Sequence, residues 1–393
     1  MSSIAREFVK RFGLTVLLMV PLFAYVGLRF AVFAASPFDK GPWVTWAHER
    51  LDPATSVQVR WETSEPGGTD LWLAAAPGGP FAPVAYGGPP VRLHVVTLQG
   101  LTPGTKYYYR VGDPGGKIHQ FSTAPVTTVP FNFTVVSDTQ SLWGTGHFDR
   151  VTRALGRAGD VAFTAVLGDL VQDGDYQRDW NFFFSRGSRF LSKAGFVPLP
   201  GNHDERGGWE AASLYPRYFN YSNDARRLYY AFNWSNVLFV AMEVAVGANS
   251  DLSADPEQLA WLEGVLSAAA DKDFRVVAFH RNVYTVEPEG DNDALIRTLL
   301  PVLDAHDVQL VMYGHHHCYM RFDDGNRTYV CTGGGAGMLD EAHVTHRYVQ
   351  RFANVPNYLH VFVDGGTMEV RAVTPDGVTI DSVTLTSNTG GGA

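Results

Sequence analysis

Between residues 134 and 317, five short apolar runs end alike, each in polar residues drawn from the same few types. Residues 134–137 lead into Asp138 and residues 165–168 into Asp169. Residues 197–201 lead into Asn202, His203 and Asp204. Residues 276–279 lead into His280, and residues 310–314 into His315, His316 and His317. Short apolar runs set between helical stretches read as strands covered on both faces. In an open α/β sheet the carboxyl ends of such strands line the functional crevice. A packed core does not call for carboxylates, since burying them costs free energy. Carboxylate, amide oxygen and imidazole together make a donor set for hard to borderline metal ions. The chain is therefore constrained to a fold that gathers these strand ends on one edge.

The surrounding pattern is α/β. Helices are predicted over residues 148–158, 176–193, 256–270 and 294–305. Strands are predicted over 131–136, 161–167, 196–199, 275–279 and 308–313, and residues 229–244 hold two more joined near Asn233–Asn236. From Asn357 the pattern returns to hairpins, turning at Asp364-Gly365-Gly366 and Pro375-Asp376-Gly377. Residues 40–125 differ in kind. Val57, Val59 and Trp61 alternate with polar residues, as do Leu93, Val95 and Thr97, and Gly and Pro punctuate densely. That predicts an all-β sandwich. Residues 98–111, with Tyr107-Tyr108-Tyr109, resemble the tyrosine-corner region of fibronectin type III domains. The expected divisions are a leader at 1–35, a β-sandwich domain at 40–125, a second domain at 130–386 and a flexible Gly-rich tail at 387–393.

At 393 residues and 45% hydrophobic, the chain can bury a large core. Its net charge of −9 argues against nucleic-acid binding, which draws on phosphate neutralisation. Arg6, Lys10 and Arg11 precede an apolar stretch over residues 12–35, broken by Arg29. This stretch is long enough to span a bilayer if Arg29 snorkels to an interface. It reads as a membrane anchor, or alternatively as a cleaved signal peptide. Either way the bulk of the chain faces outside the cytoplasm, anchored or secreted.

Cys318 and Cys331 flank a hairpin signal at Asp324-Gly325. A two-residue turn there would set the two cysteines directly opposite, within disulfide range. A bridge is expected; the alternative is two buried thiols.

The ordered set Asp138, Gly168-Asp169, Gly201-Asn202-His203-Asp204, His280 and Gly314-His315-x-His317 resembles the signature of the calcineurin-like metallophosphoesterases. A fibronectin-like domain in front, and the run from Gly314 to Arg321, resemble the purple acid phosphatase branch. The resemblance covers residues 42–386. It implies a four-layer β-sandwich flanked by helices, and a centre of two divalent or trivalent ions: zinc, manganese or iron. Asp169 would bridge them. Asp138 and His317 would hold the first ion; Asn202, His280 and His315 would hold the second. His203 would be the general acid, oriented by a carboxylate such as Asp204. Hydroxide would attack phosphorus in line with the leaving group.

Two positions depart from the pattern. Gln140 stands where a histidine is common, as a weaker ligand to the first ion or one acting through water. His147 is an alternative donor there. Gln172 stands where purple members carry the tyrosine ligand to ferric iron, so no purple band is expected. Arg281 and Arg321 read as surface or structural ion pairs, with phosphate contact as the alternative. His316 reads as facing away, with a pocket role as the alternative. His343 and His346 are candidates for substrate recognition; His48, His94, His119, His306 and His360 read as structural.

The expectation is a phosphomonoesterase acting on a small phosphate ester. A phosphodiesterase acting on nucleotides or lipid headgroups would share every ligand. A catalytically weak cell-surface binding protein on the same scaffold is the rival of another class.

Overall fold

The computed structural model describes residues 40–48, 50–140, 146–204, 214–219, 227–244, 252, 255–335 and 338–387. The leader at 1–35 and the tail beyond 387 lie outside the described residues. Among the described residues no helix is long and apolar enough to cross a membrane.

The N-terminal segment forms seven strands: β1 (Lys40–Thr45), β2 (Val57–Gly67), β3 (Leu71–Ala74), β4 (Ala82–Ala85), β5 (Val91–Leu98), β6 (Lys106–Val111) and β7 (His119–Ser122). They split three against four, in the orders β1-β2-β5 and β4-β3-β6-β7. Val59, Trp61, Leu71, Tyr109 and Phe121 are buried between the two layers. The hydroxyl of Tyr107 accepts a hydrogen bond from the backbone N–H of Thr102 at 2.9 Å, which pins the turn before β6.

The second segment supplies three parallel strands, β8 (Phe131–Val136), β9 (Phe163–Leu167) and β10 (Gly195–Leu199). Beside β8 runs an antiparallel C-terminal meander, β18 (Tyr358–Asp364), β19 (Thr367–Val373) and β20 (Thr379–Thr386). A second sheet has the order β11-β12-β13-β14-β16-β15-β17. Its strands are β11 (Tyr230–Trp234), β12 (Val237–Ala241), β13 (Phe274–Ala278), β14 (Leu310–Tyr313), β15 (Tyr319–Asp323), β16 (Thr328–Thr332) and β17 (Val349–Ala353). The two sheets face each other through aromatic rings. Phe163 of the first sheet lies 5.3 Å from Phe232 and 5.6 Å from Phe239 of the second, both edge-on, a geometry aromatic pairs favour.

Helices cover the outer faces. On the first sheet, α1 (Gly146–Leu155) and α2 (Gln177–Leu191) stack Phe148 on Phe183 and set Phe183 against Phe196 of β10. After the short α3 (Leu214–Tyr218), α4 (Pro256–Ala268) and α5 (Asp293–Ala305) cover the second sheet. They bury Leu262, Leu266, Leu295, Leu299 and Leu303 against Val240, Val277 and Val311. Both start at side-chain caps: Asp255 accepts from the N–H of Gln258, and Asn292 from that of Leu295. The result is four layers, helix–sheet–sheet–helix. Strands β9, β10 and β13 are buried along their whole length, which is why they read as unbroken apolar runs.

The boundary near residue 125 does not separate the sheets. Strand β1 pairs in parallel with β10 at Val44 and Gly195, so one nine-stranded sheet runs through both segments. Trp46 follows β1 and packs against Phe163, Phe232 and Trp234.

The hairpin between β15 and β16 corrects an expectation. Asp323 pairs with Thr328, and Met320 with Cys331, so the loop has four residues, 324–327. The side chain of Asp324 closes it by accepting from the N–H groups of Asn326 and Arg327. The wider loop moves the register, and Cys318 stands opposite Gly333 instead of Cys331. Both cysteines are free, buried thiols. The Cys331 Sγ lies 3.3 Å from the carbonyl oxygen of Gly314 and 3.4 Å from that of His316. A hydrogen bond with Cys331, and then burial, push the Cys318 thiol pKa up.

Candidate metal centre

The loops after β8, β9, β10, β13 and β14 converge at one edge, between the two sheets. Asp138, Asp169 and His280 each offer a donor atom within 4.8 Å of the other two, and all three are buried. Burial and then the charge of Asp169 push the Asp138 carboxyl well above its ordinary range. Burial also opposes charge on Asp169, but His280 and His203 outweigh it and hold that carboxyl low. Two buried carboxylates this close need a cation if both are to ionise.

Backbone geometry is unusual at three of the candidate ligands, as it is at Ser235, Leu252 and Asp307 away from the cluster. Asp138, Asp169 and His315 have positive φ, at 57°, 50° and 71°. Non-glycine residues take this conformation at a cost that surrounding structure must offset, and such strain gathers at functional sites. Gly314 shows the crowding: a Cβ there would run into Ser137 Oγ and Asp138 Oδ2.

The imidazoles are aimed by carbonyl groups, which can only accept. His280 donates from Nδ1 to Leu167 O at 2.9 Å, so its Nε2 lone pair faces Asn202 Oδ1 at 3.1 Å and Asp169 Oδ2 at 3.4 Å. His317 donates from Nδ1 to Met338 O at 2.8 Å, and its Nε2 lies 3.6 Å from Asp138 Oδ1. Three electron-rich atoms facing one point is what a cation requires. His315 stands edge-on to His280, ring centroids 5.4 Å apart, with its Nε2 at Arg281 and Glu289.

Gln140 lies within the centre. Its Nε2 donates to Asp169 Oδ2 at 3.2 Å and to His317 Nε2 at 3.1 Å. Its Oε1 is buried without a hydrogen-bond partner among the described residues. Such an orphaned acceptor beside two carboxylates and the lone pairs of two imidazoles fits a metal ion, and turning the amide over would present the oxygen. The donor set therefore fits a metal pair. His147, the alternative donor, is not in the cluster.

His203 also borders the centre. Its backbone N–H donates to Asp169 Oδ1 at 2.8 Å, and its Nε2 lies 3.9 Å from Asp169 Oδ2. Asp204 does not orient it, contrary to expectation. The Asp204 carboxylate is buried and accepts from the N–H groups of Leu170, Val171 and Gly201, lacing the loop after β9 to the loop after β10. His203 Nδ1 instead donates to Gln172 O at 2.8 Å. The sequence signal for Gln172 was only the missing tyrosine, which said nothing about this carbonyl.

The remaining candidates sort by contact. Arg321 is tied to Asp381 at 2.6 Å, a structural pair. His316 is buried, and burial followed by the neighbouring His315 brings its pKa down to about 4. His346 pairs with Asp291 at 2.9 Å and packs on Tyr284; His343 lies 3.8 Å from Glu287. Sequence reasoning missed Asp340, whose carboxylate accepts from the backbone N–H of His317 at 2.7 Å. It also missed Glu289, which lies 3.6 Å from His315. Both sit on loops without a strand pattern to place them.

Residues 131–319 match the calcineurin-like phosphoesterase family model, and residues 42–134 match that of the purple acid phosphatase N-terminal domain. The chain is 27% identical over 276 residues to purple acid phosphatase 15 of Arabidopsis thaliana, covering 60% of this chain and 50% of that one. It is 28% identical over 263 residues to tartrate-resistant acid phosphatase type 5 of Homo sapiens, covering 60% of this chain and 74% of that one. The match thus spans half the length of the Arabidopsis relative. Among solved structures, a purple acid phosphatase from yellow lupin seeds superposes with a TM-score of 0.76 at 15% identity, over 90% of this chain and 75% of that one. At that identity the likeness speaks for the fold. Residues 131–319 are thus a calcineurin-like metallophosphoesterase domain, the domain of a family of metal-dependent phosphoester hydrolases, behind a purple acid phosphatase N-terminal domain, and the chain's homologues are purple acid phosphatases.

Proposed function

We propose that the chain is a binuclear metal-dependent phosphomonoesterase working outside the cytoplasm. The observation that carries this is the buried trio Asp138, Asp169 and His280, whose donors crowd one point beside the Gln140 amide, the oxygen of which has no hydrogen-bond partner among the described residues. Asp169 would bridge two ions, with Asp138, His317 and Gln140 on one side and Asn202, His280 and His315 on the other. Bound ions of this kind supply positive charge for phosphate oxygens and lower the pKa of water.

The chain's own groups do the rest. With its Nδ1–H committed to Gln172 O, His203 would serve the departing alcohol as the imidazolium, the form that also carries a proton at Nε2. Asp204 fixes the spacing between the His203 loop and the Asp169 loop through its three backbone contacts. The placement outside the cytoplasm rests on Arg6, Lys10 and Arg11 ahead of the apolar stretch. The N-terminal segment is read as fibronectin type III-like, supported by its three-plus-four strand order and the Tyr107–Thr102 bond.

The test is turnover of the metal-stripped protein with Mn²⁺, Zn²⁺ or iron added back, on a chromogenic phosphomonoester and the matching diester. Metal-restored turnover that favours the monoester is expected. Preference for the diester would overturn the monoesterase reading, and no turnover with no metal bound would overturn the enzyme reading. Gln172 in place of tyrosine predicts an iron-loaded protein without a purple absorption band.

A further inference from the structure

We propose that Glu289 is the positioning carboxylate for His315, and that Arg281, which competes for the same imidazole nitrogen, opposes it. The inference rests on the metal-centre reading above and concerns which nitrogen of His315 faces the ions.

A ligating imidazole offers a lone pair from one nitrogen and donates the proton on the other to an outer acceptor. His280 and His317 meet this requirement through the carbonyls of Leu167 and Met338. His315 has no such carbonyl among the contacts of the described residues. Its Nε2 is met instead by two side chains. Arg281 approaches to 2.6 Å, and a Glu289 oxygen lies at 3.6 Å. Arg281 and Glu289 are themselves 3.7 Å apart.

The chemistry of the two partners is opposite. A guanidinium only donates, so Arg281 at Nε2 takes up the lone pair there and leaves the proton on Nδ1. With that arrangement His315 has no free lone pair to give. A carboxylate only accepts, so Glu289 favours the tautomer with the proton on Nε2, which frees Nδ1 as a donor atom. Glu289 therefore favours ligation by His315, and Arg281 disfavours it. Arg281 has somewhere to go on release. It and Glu289 both line an open cavity of about 490 Å³, with Asn282, Asn292 and Arg297 further along the wall. At that wall Arg281 would keep its ion pair with Glu289 while a Glu289 oxygen closes from 3.6 Å onto Nε2.

Opposite chemistry predicts opposite consequences for metal affinity. The experiment is calorimetric titration of metal-stripped full chain with Mn²⁺ and with Zn²⁺, alongside its thermal unfolding. Glu289→Ala should weaken one of the two binding events by about 10–100-fold, the range for partners that orient a ligand. Glu289→Asp, which keeps an acceptor, should recover part of the loss. Arg281→Ala should bind that ion as tightly as the parent chain or more tightly. Glu289 is half exposed, so unfolding temperatures should stay close to the parent's. Equal affinity in Glu289→Ala and the parent would overturn the proposal. So would weakening in Arg281→Ala that matches Glu289→Ala, because the pair would then be a simple structural clamp. A parent chain that takes up no metal would instead overturn the metal-centre reading, and the proposal with it.

Discussion

His203 is the residue whose assigned role makes the sharpest chemical demand. A general acid matters in proportion to how badly the leaving group needs a proton. His203→Ala should therefore cut kcat by about 10²–10⁴-fold on an alkyl phosphate. On a p-nitrophenyl ester, whose alcohol leaves readily as an anion, the loss should be much smaller. Steady-state rates on the two esters check this; equal losses on both would assign His203 to binding. That such residues would gather at one edge was legible in the sequence, because each follows a strand whose apolar pattern is unmistakable. Their partners were not. Asp204 looked like the natural neighbour of His203, yet its lone pairs serve three backbone N–H groups, that of Gly201 in its own turn and those of Leu170 and Val171 in the loop after β9. Which acceptor an imidazole finds depends on loop conformation that a linear pattern does not encode.

At the scale of elements, two glycines separate the fold from the site. Gly195 opens β10, and a Cβ there would strike the indole of the buried Trp46, which joins the N-terminal segment to the catalytic sheet. Gly195→Ala should destabilise the chain by roughly 1–3 kcal/mol, the usual cost of overpacking, and leave metal affinity near the parent's. Gly314→Ala should lower metal affinity as well as stability, since its Cβ would displace Asp138. Denaturant unfolding and metal titration on both variants read this contrast, and parent-like metal binding in Gly314→Ala would contradict it. Most strands and helices were legible from the sequence to within a few residues. The β15–β16 hairpin was not. Asp324-Gly325 does mark the turn, but the Asp324 side chain caps two N–H groups and widens the loop, moving the two cysteines out of register. The fusion of β1 to β10 was also hidden, because a single point of strand pairing leaves no pattern in either strand.

For the whole molecule, stability should depend on pH through His119 in the N-terminal sandwich. Burial, followed by the charge of Lys117, brings its pKa from 6.5 down to about 4. Its Nδ1 has no partner among the described residues, and its ring lies beside Tyr109. The folded chain then binds fewer protons than the unfolded chain between those two values. This contribution is fully present above pH 6.5 and is lost as pH falls toward 4. Thermal unfolding between pH 7 and 4 should show a steeper decline in the parent than in His119→Gln; identical slopes would contradict the assignment.

The central claim is that two carboxylates and a set of imidazoles act together as a metal centre for phosphoester hydrolysis, with Asp169 common to both ions. The most direct measurement combines metal content with turnover in Asp169→Asn, an isosteric change at a fully buried position. The parent should hold two ions per chain and hydrolyse a phosphomonoester. Asp169→Asn should keep the parent's circular dichroism, hold fewer ions and lose turnover. Undiminished turnover in the folded variant would contradict the account.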